Sequence, residues 1–231
     1  IILATVVFLG LTQLGNDANR RVYESRDALE SDRVLVTSQD LAVSVSREIN
    51  LVLIERIEDV RDWSRNQAVI DGAFDAGIFA RDEGLVALSI DELETRFDST
   101  KSTQKAIRAR AYLRTELANN RAFGEILFTD ANGFNAALTS ETRDFVQSDE
   151  DWWQTAWTEG INVDDIEFDE SAGEFSVGIA VRIDDARTGL RLGVLKTTLD
   201  ARFVERIANA RATSSTDYTV ALPDGRLIAE T

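Results

Sequence analysis

From Asn16 to about Ala73 the chain carries almost no helix breaker, and its apolar positions gather on one side of a helical wheel. Leu41, Val45, Ile49, Val52, Ile57, Val60 and Ser64 recur at short, near-regular intervals, and Leu53 and Ile54 widen the stripe. That spacing is the period of an α-helix with one apolar face. A helix of about 50 residues extends roughly 75 Å at 1.5 Å per residue, more than the core of a compact domain requires. Its first part, from Asn16 to Asp40, is mostly polar, as a stalk is. Two shorter helices joined by a bend satisfy the same periodicity.

The pattern then shortens. Gly77 to Gly84 reads as a loop. Ser89-Ile90-Asp91-Glu92 matches a capping box, in which Ser89 and Glu92 satisfy each other's free amides. A short helix to about Phe97 follows, and another from about Ser102 to Ala118, ended by Asn119-Asn120. The pattern changes to strands at Glu125. The segment to Thr129 and the segment Phe134 to Thr139 flank Asp130-Ala131-Asn132-Gly133, a tight turn whose glycine supplies positive φ. Ser148 stands as the cap of a helix that opens on Asp149, Glu150 and Asp151, carries Trp152, Trp153 and Trp157, and closes at Gly160. Strands are predicted at Val163 to Phe168, Phe175 to Ile183 and Leu190 to Leu199, with turns at Ser171-Ala172-Gly173 and Arg187-Thr188-Gly189. Asp200 precedes a helix over Ala201 to Ala210. A last hairpin joins Tyr218 to Leu222 with Arg226 to Ala229 through Pro223-Asp224-Gly225.

These elements make an α+β fold: a long N-terminal helix, then a five-stranded antiparallel sheet with flanking helices, placed on one side of it. The final hairpin is left over. It is either the start of a second module or an extra edge of the first.

Composition narrows the function. The chain has 231 residues, 44% hydrophobic residues and a formal net charge of −16. An acidic surface repels nucleic-acid phosphates and anionic lipid headgroups, so nucleic acid is not an expected partner. There is no Cys and no His, which excludes disulfides, thiolate zinc sites and histidine-based triads. No glycine-rich phosphate loop occurs, and no cofactor is expected. A hydrolytic enzyme would lack the common nucleophile and base pairs, so none is expected. Met is also absent, even at position 1, which suggests that the chain is a fragment or that its first residues are missing. Ile1 to Leu14 is uncharged but shorter than the roughly 20 residues of a spanning helix, as a membrane helix cut short would be. A buried helix start or a signal-peptide core are the other readings. The division that follows is 1–15 truncated membrane helix, 16–76 stalk and dimerisation helix, 77–210 ligand-binding module, and 211–231 the start of a membrane-proximal module.

Four stretches carry a resemblance: FTDANGFNAALTS, DFVQSDEDWWQTAW, FDESAGEFSVGIAVRI and GLRLGVLKTTL. In that order, after a long helix and before TVALPDGRLIAET, they resemble a double Cache domain, a PAS-like sensor fold. The resemblance covers nearly the whole chain after residue 16. It implies an extracytoplasmic small-molecule sensor without catalytic activity. Such a module belongs to a chemoreceptor, sensor kinase, nucleotide cyclase or phosphatase of the inner membrane, with this region periplasmic or extracellular. It also implies a long helix that dimerises and carries the signal. The amino-acid-binding branch of that family has Arg-x-Trp-Tyr on the helix and Asp-x-x-x-Gly after the next strand. Trp152-Trp153 and Asp169 with Gly173 match, whereas Glu150 stands at the arginine and Thr198 at a later aspartate.

The residues themselves point to the same place. Val194, Lys196 and Thr198 share one strand face. A lysine on a covered face needs a partner, and Asp169 is the candidate. The pair either binds a ligand, with Lys196 on a carboxylate, or is a structural ion pair. Trp153 and Trp157 share a helical side, with Trp152 turned by about 100°. One set packs on the sheet; the other is free to wall a pocket. With Asp149, Glu150 and Asp169 nearby, such a wall holds a cationic amine by cation–π attraction. Phe128, Phe145 and Ser171 complete the candidates. Asp164-Asp165 and Asp184-Asp185 read as solvated acids, since no calcium-loop spacing surrounds them. A structural or adhesive ectodomain with no ligand is the competing reading.

Overall fold

The computed structural model describes residues 17–101, 106–140, 142–169, 174–211, 219–221, 225 and 227–230. The uncharged segment Ile1 to Leu14 lies outside them, and no helix among the described residues is long and apolar enough to cross a membrane. The chain divides into two compact units, Ile54–Ala201 and Ile1–Leu53 with Arg202–Thr231.

The long helix α1 (Asp17–Ser64) forms, and it stops two residues before a second helix, α2 (Gln67–Asp82). The single helix expected to about Ala73 is therefore two. Asn66 is the cause: its backbone is extended at φ −64° and ψ 134°, and its side-chain oxygen accepts the Ala68 N–H at 2.9 Å. A short polar side chain that caps a new helix ends the old one. The loop expected from Gly77 begins only after Asp82. A 3-10 turn (Leu85–Ala87) leads to α3 (Ile90–Thr100), whose capping box forms as expected, with the Glu92 carboxylate accepting the Ser89 N–H at 2.8 Å. Helix α4 (Ile107–Asn119) starts later than the expected Ser102, and residues 102–105 lie outside the described residues.

The larger unit is built on one antiparallel sheet. Its strands are β1 (Phe123–Thr129), β2 (Asn135–Leu138), β3 (Ile161–Val163), β4 (Glu167–Asp169), β5 (Glu174–Asp185) and β6 (Leu190–Asp200). The order is β2-β1-β6-β5-β3, with β4 also paired to β5. Six strands replace the expected five because Val163 to Phe168 splits in two around Asp164 and Asp165. Helix α5 (Asp151–Glu159) begins after Glu150 rather than after Ser148, and Gly160 ends it at φ 91°. Ser148 instead packs against the β1–β2 turn, where a Cβ on Gly133 would run into it.

Helices cover both faces of the sheet, not one. Strand alternation puts Ile179, Val181 and Ile183 of β5 with Leu195, Thr197 and Leu199 of β6 on the face toward α2 and α4. The Phe128 ring reaches Gly72 of α2 on that face. Trp63 of α1 packs edge-on against Phe123, with ring centroids 4.8 Å apart. A neighbouring cluster joins Leu93 and Phe97 to Phe134, Phe145 and Val146. The opposite face carries Ala180 and Val194 under α5.

In the other unit, α6 (Arg202–Arg211) buries Phe203, Val204, Ile207 and Ala208, and Arg211 pairs with Glu48 at 2.7 Å. Strands β7 (Thr219–Ala221) and β8 (Leu227–Glu230) pair with each other as a separate two-stranded sheet. On α1, Val45 and Ile49 are buried, as are Val60 and Ser64 further along, while Leu41, Val52 and Ile57 of the same stripe are half-buried.

Tyr112 on α4 supplies a test of the α4 packing. Burial, and then the Glu116 carboxylate, push its phenol up to about 12. A group with a raised folded value is fully accommodated below its ordinary value of 10.0 and destabilises as it ionises. Stability to urea should therefore fall as pH rises from 10 to 12, and Tyr112→Phe should remove that part of the slope.

Candidate functional site

Helix α5 is held onto the sheet by its own sequence. Trp153 and Ala156 lie against Ala180 and Val194, and Trp157 stacks on Trp153 with centroids 5.0 Å apart and planes 12° from parallel. The Trp153 Nε1–H donates to Thr129 Oγ1 at 2.9 Å. At the far end, the Trp157 carbonyl accepts from Arg182 at 2.8 Å and from Arg191 at 3.3 Å. The division of the tryptophans foreseen from helical spacing is the one observed: Trp153 and Trp157 face one way, and Trp152 is turned to another neighbour.

That neighbour is Lys196. Its side chain rises from β6 on the face that α5 covers and is 22% exposed. The ammonium sits 4.2 Å from the Trp152 ring centroid, within cation–π range. Its nearest carboxylate is Asp164 Oδ2, at 4.0 Å, an ion-pair distance too long for a hydrogen bond. Nζ makes no hydrogen bond among the described residues, although an ammonium has three donors. Burial pulls its pKa below the ordinary lysine value, and the carboxylates of Asp164, Glu150, Glu125 and Glu167 oppose that pull.

Asp164 reaches Lys196 because β5 has no side chain in the way. The Asp164 amide donates to the Gly178 carbonyl at 2.9 Å, and its carboxylate lies over Gly178, where a Cβ would run into it. Asn162 Nδ2 donates to Asp164 Oδ1 at 2.6 Å and leaves Oδ2 toward the lysine. In register, Gly178 faces Thr198 and Ala180 faces Lys196, so the floor is made of small residues. The result is a shallow cradle with an aromatic wall, an oriented carboxylate and one ammonium.

Sequence reasoning placed Lys196, Thr198, Trp152 and Trp153 on the correct surfaces. The partner of Lys196 is different: Asp164, not Asp169. Asp169 pairs with Glu174, whereas Lys196 lies opposite Ala180, six residues away along β5 or about 20 Å. The Asp169 side chain and all of Ser171 lie outside the described residues. Glu150 is the exposed residue before α5 and acts on Lys196 through its charge. Phe128 is not a pocket residue, because alternation sends it to the opposite face of the sheet. Phe145 is stacked in the core between Phe97 and Phe134, 5.5 Å from each. The sequence reading missed Asn162, Asp164 and Gly178. The available signal was a glycine within a strand, which marks a close approach.

The described residues contain no cluster suited to a metal ion. A second concavity, about 460 Å³, lies between α2 and α4, lined by Asp71, Phe74, Asp75, Ile107 and Arg108. Its Asp71 is exposed and already accepts from Gln67 at 2.7 Å.

A six-stranded antiparallel sheet with a long preceding helix and helices on both faces makes a PAS-like α+β fold. Two solved structures share it. The sensor domain of the V. cholerae histidine kinase DctB aligns over 78% of this chain and 60% of its own, at 15% identity and a TM-score of 0.52. The extracellular domain of vpHK1S-Z8, assigned as a histidine kinase, aligns over 82% of this chain and 66% of its own, at 14% identity and a TM-score of 0.55. This chain thus spans less than two thirds of the length of either. No family model matches the sequence, and no curated protein matches it.

The cradle makes a specific demand on position 178. Gly178→Ala should destabilise the chain by about 1–3 kcal/mol, as overpacking does. Asp164→Gly in the same chain should return part of that loss, because the clash has gone. The pair should be non-additive in a urea-denaturation cycle.

Proposed function

We propose that the chain is the extracytoplasmic small-molecule sensing module of a membrane-bound signal-transduction receptor and has no catalytic activity of its own. The receptor class is a chemoreceptor, sensor kinase, cyclase or phosphatase. The observation that carries this reading is the Lys196 ammonium. It is lodged on a covered sheet face between Trp152 and Asp164 without a hydrogen bond among the described residues. The ammonium is not a buried orphan, since its side chain keeps 22% of its surface; a ring and a carboxylate bracket it and its donors stay open to exchange. The fold likeness supports the reading, since one similar structure is named as the sensor domain of a histidine kinase and another as the extracellular domain of one.

In this reading the ligand enters between α5 and the sheet, against Trp152, with Asp164, Lys196, Thr198 and Glu150 around it. Trp153 holds the wall in place. Binding shifts α5, and differential affinity of about 1–3 kcal/mol biases the output module. The segment Ile1 to Leu14 anchors the chain in the inner membrane, the described region lies outside it, and β7–β8 open a membrane-proximal module.

A metabolite screen by thermal shift, followed by calorimetry, tests the reading. At least one small polar metabolite should bind. Trp152→Ala and Asp164→Asn should each weaken it by about tenfold or more, that is about 1.4 kcal/mol. If no metabolite binds, or if both variants leave every affinity unchanged, the chain is a structural ectodomain instead.

Dimerisation through α1 uses the face opposite its buried side. Val36, Val43, Leu51 and Ile54 are 56–59% exposed. Val36 and Ile54 lie about five turns apart at 3.6 residues per turn and so point the same way. The chain contains no cysteine to interfere with cross-linking. Single cysteines at Val36, Val43 or Leu51 should cross-link two copies, and a cysteine at buried Ile49 should not.

A further inference from the structure

We propose that Lys196 is a tethered occupant of a site for organic ammonium ions: its own ammonium holds the place over Trp152 that a cationic ligand takes on binding. The proposal rests on the sensing role above and specifies the ligand's charge class.

Three observations carry it. The first is geometry. Nζ lies 4.2 Å from the Trp152 centroid and 4.0 Å from Asp164 Oδ2, so an aromatic face and a carboxylate already bracket a positive charge. This is how a protein holds an alkylammonium ion. The second is the sign of the surroundings. Asp164 on the β3–β4 connection, Glu150 before α5, Glu125 on β1 and Glu167 on β4 all act on this one ammonium. Four carboxylates exceed one lysine, and the chain as a whole carries −16. A carboxylate ligand entering here meets net repulsion; a cation meets attraction. The third is the looseness of the occupant. Lys196 makes no hydrogen bond among the described residues, and its side chain keeps a 22% exposed path to solvent. Four methylenes on a lysine stem allow the ammonium to swing outward while its backbone stays in β6.

Binding is then an exchange of cations. The ligand's ammonium replaces that of Lys196 over Trp152, Lys196 returns to water, and the charge within the cradle is unchanged. No bond forms or breaks and no proton need move. The desolvation that lowers the lysine's pKa is relieved by the exchange, which favours release of the side chain.

The test uses the full chain, with Lys196→Met to remove the charge while keeping the length. Lys196→Gln is a second variant should the first fail to fold by far-UV circular dichroism. Calorimetry at constant ionic strength is run with two probes, tetramethylammonium chloride and sodium acetate. Tetramethylammonium should bind the native chain weakly and Lys196→Met about tenfold more tightly, the factor that 1.4 kcal/mol of competition corresponds to. Acetate should bind neither. Raising the pH toward the ordinary lysine value of 10.5 should strengthen tetramethylammonium binding to the native chain as Lys196 loses its proton. The same change should leave Lys196→Met flat, since the lysine that titrates is gone. The proposal is overturned if Lys196→Met binds tetramethylammonium no better than the native chain. It is equally overturned if acetate binds the native chain and is lost in the variant. Should a screened metabolite bind in a Trp152-dependent way under either of those results, the sensing role stands and only the tethered-occupant idea fails. Should Trp152→Ala also leave every affinity unchanged, both fall together.

Discussion

A positive charge on the covered face of a β-sheet has to be answered by something close, and the local architecture of the larger unit follows from how Lys196 is answered. β6 alternates, so Lys196 shares a face with Val194 and Thr198 while Leu195, Thr197 and Leu199 serve the core behind. The ammonium is met from above by Trp152 and from the side by Asp164. Each answer imposes a further condition. Trp152 is available because Trp153 and Trp157 take the sheet-facing side of α5. Asp164 is available because β3 ends at Val163 and because Gly178 leaves the space above β5 open. The interruption between β3 and β4 is thus the route by which a carboxylate crosses one strand, β5, to a lysine on β6.

The elements of the fold were legible because their signals are local. The Ser89–Glu92 box, the Gly160 helix end and the Asp130–Gly133 turn depend on residues a few positions apart, and all three form. The long helix was legible from its period, but its end was not. Asn66 looks like any polar surface residue until its backbone is extended, and only then does its side chain reach the Ala68 amide. The number of faces covered by helices was misjudged for a related reason. Periodicity says that a helix has an apolar side, and says nothing about which layer it joins.

The site was legible by half. Alternation within one strand put Lys196 and Thr198 together correctly, and helical rotation separated Trp152 from Trp153. The partner across strands was not recoverable, because it depends on register. One acid pair at Asp164-Asp165 looks like every other acid pair in a chain of net charge −16. What distinguishes it is its place opposite Gly178, and that is set by the pairing of β3 with β5. Phe128 and Phe145 were drawn toward the site by being aromatic near it in sequence. Both are claimed by cores, one against Gly72 of α2 and the other between Phe97 and Phe134.

The two arginines at the end of α5 give the helix an asymmetry. Arg182 and Arg191 both donate to the Trp157 carbonyl, so the C-terminal turn is riveted to β5 and β6. At the other end, Trp153 is bonded to Thr129 and buried against Ala180 and Val194, while Trp152, packed on the same cluster, places its ring over the Lys196 ammonium. The helix is thus secured by two different forces, arginine donors on backbone oxygen at its C-terminal turn and a buried indole at its start, so salt and core substitutions address opposite ends of one element.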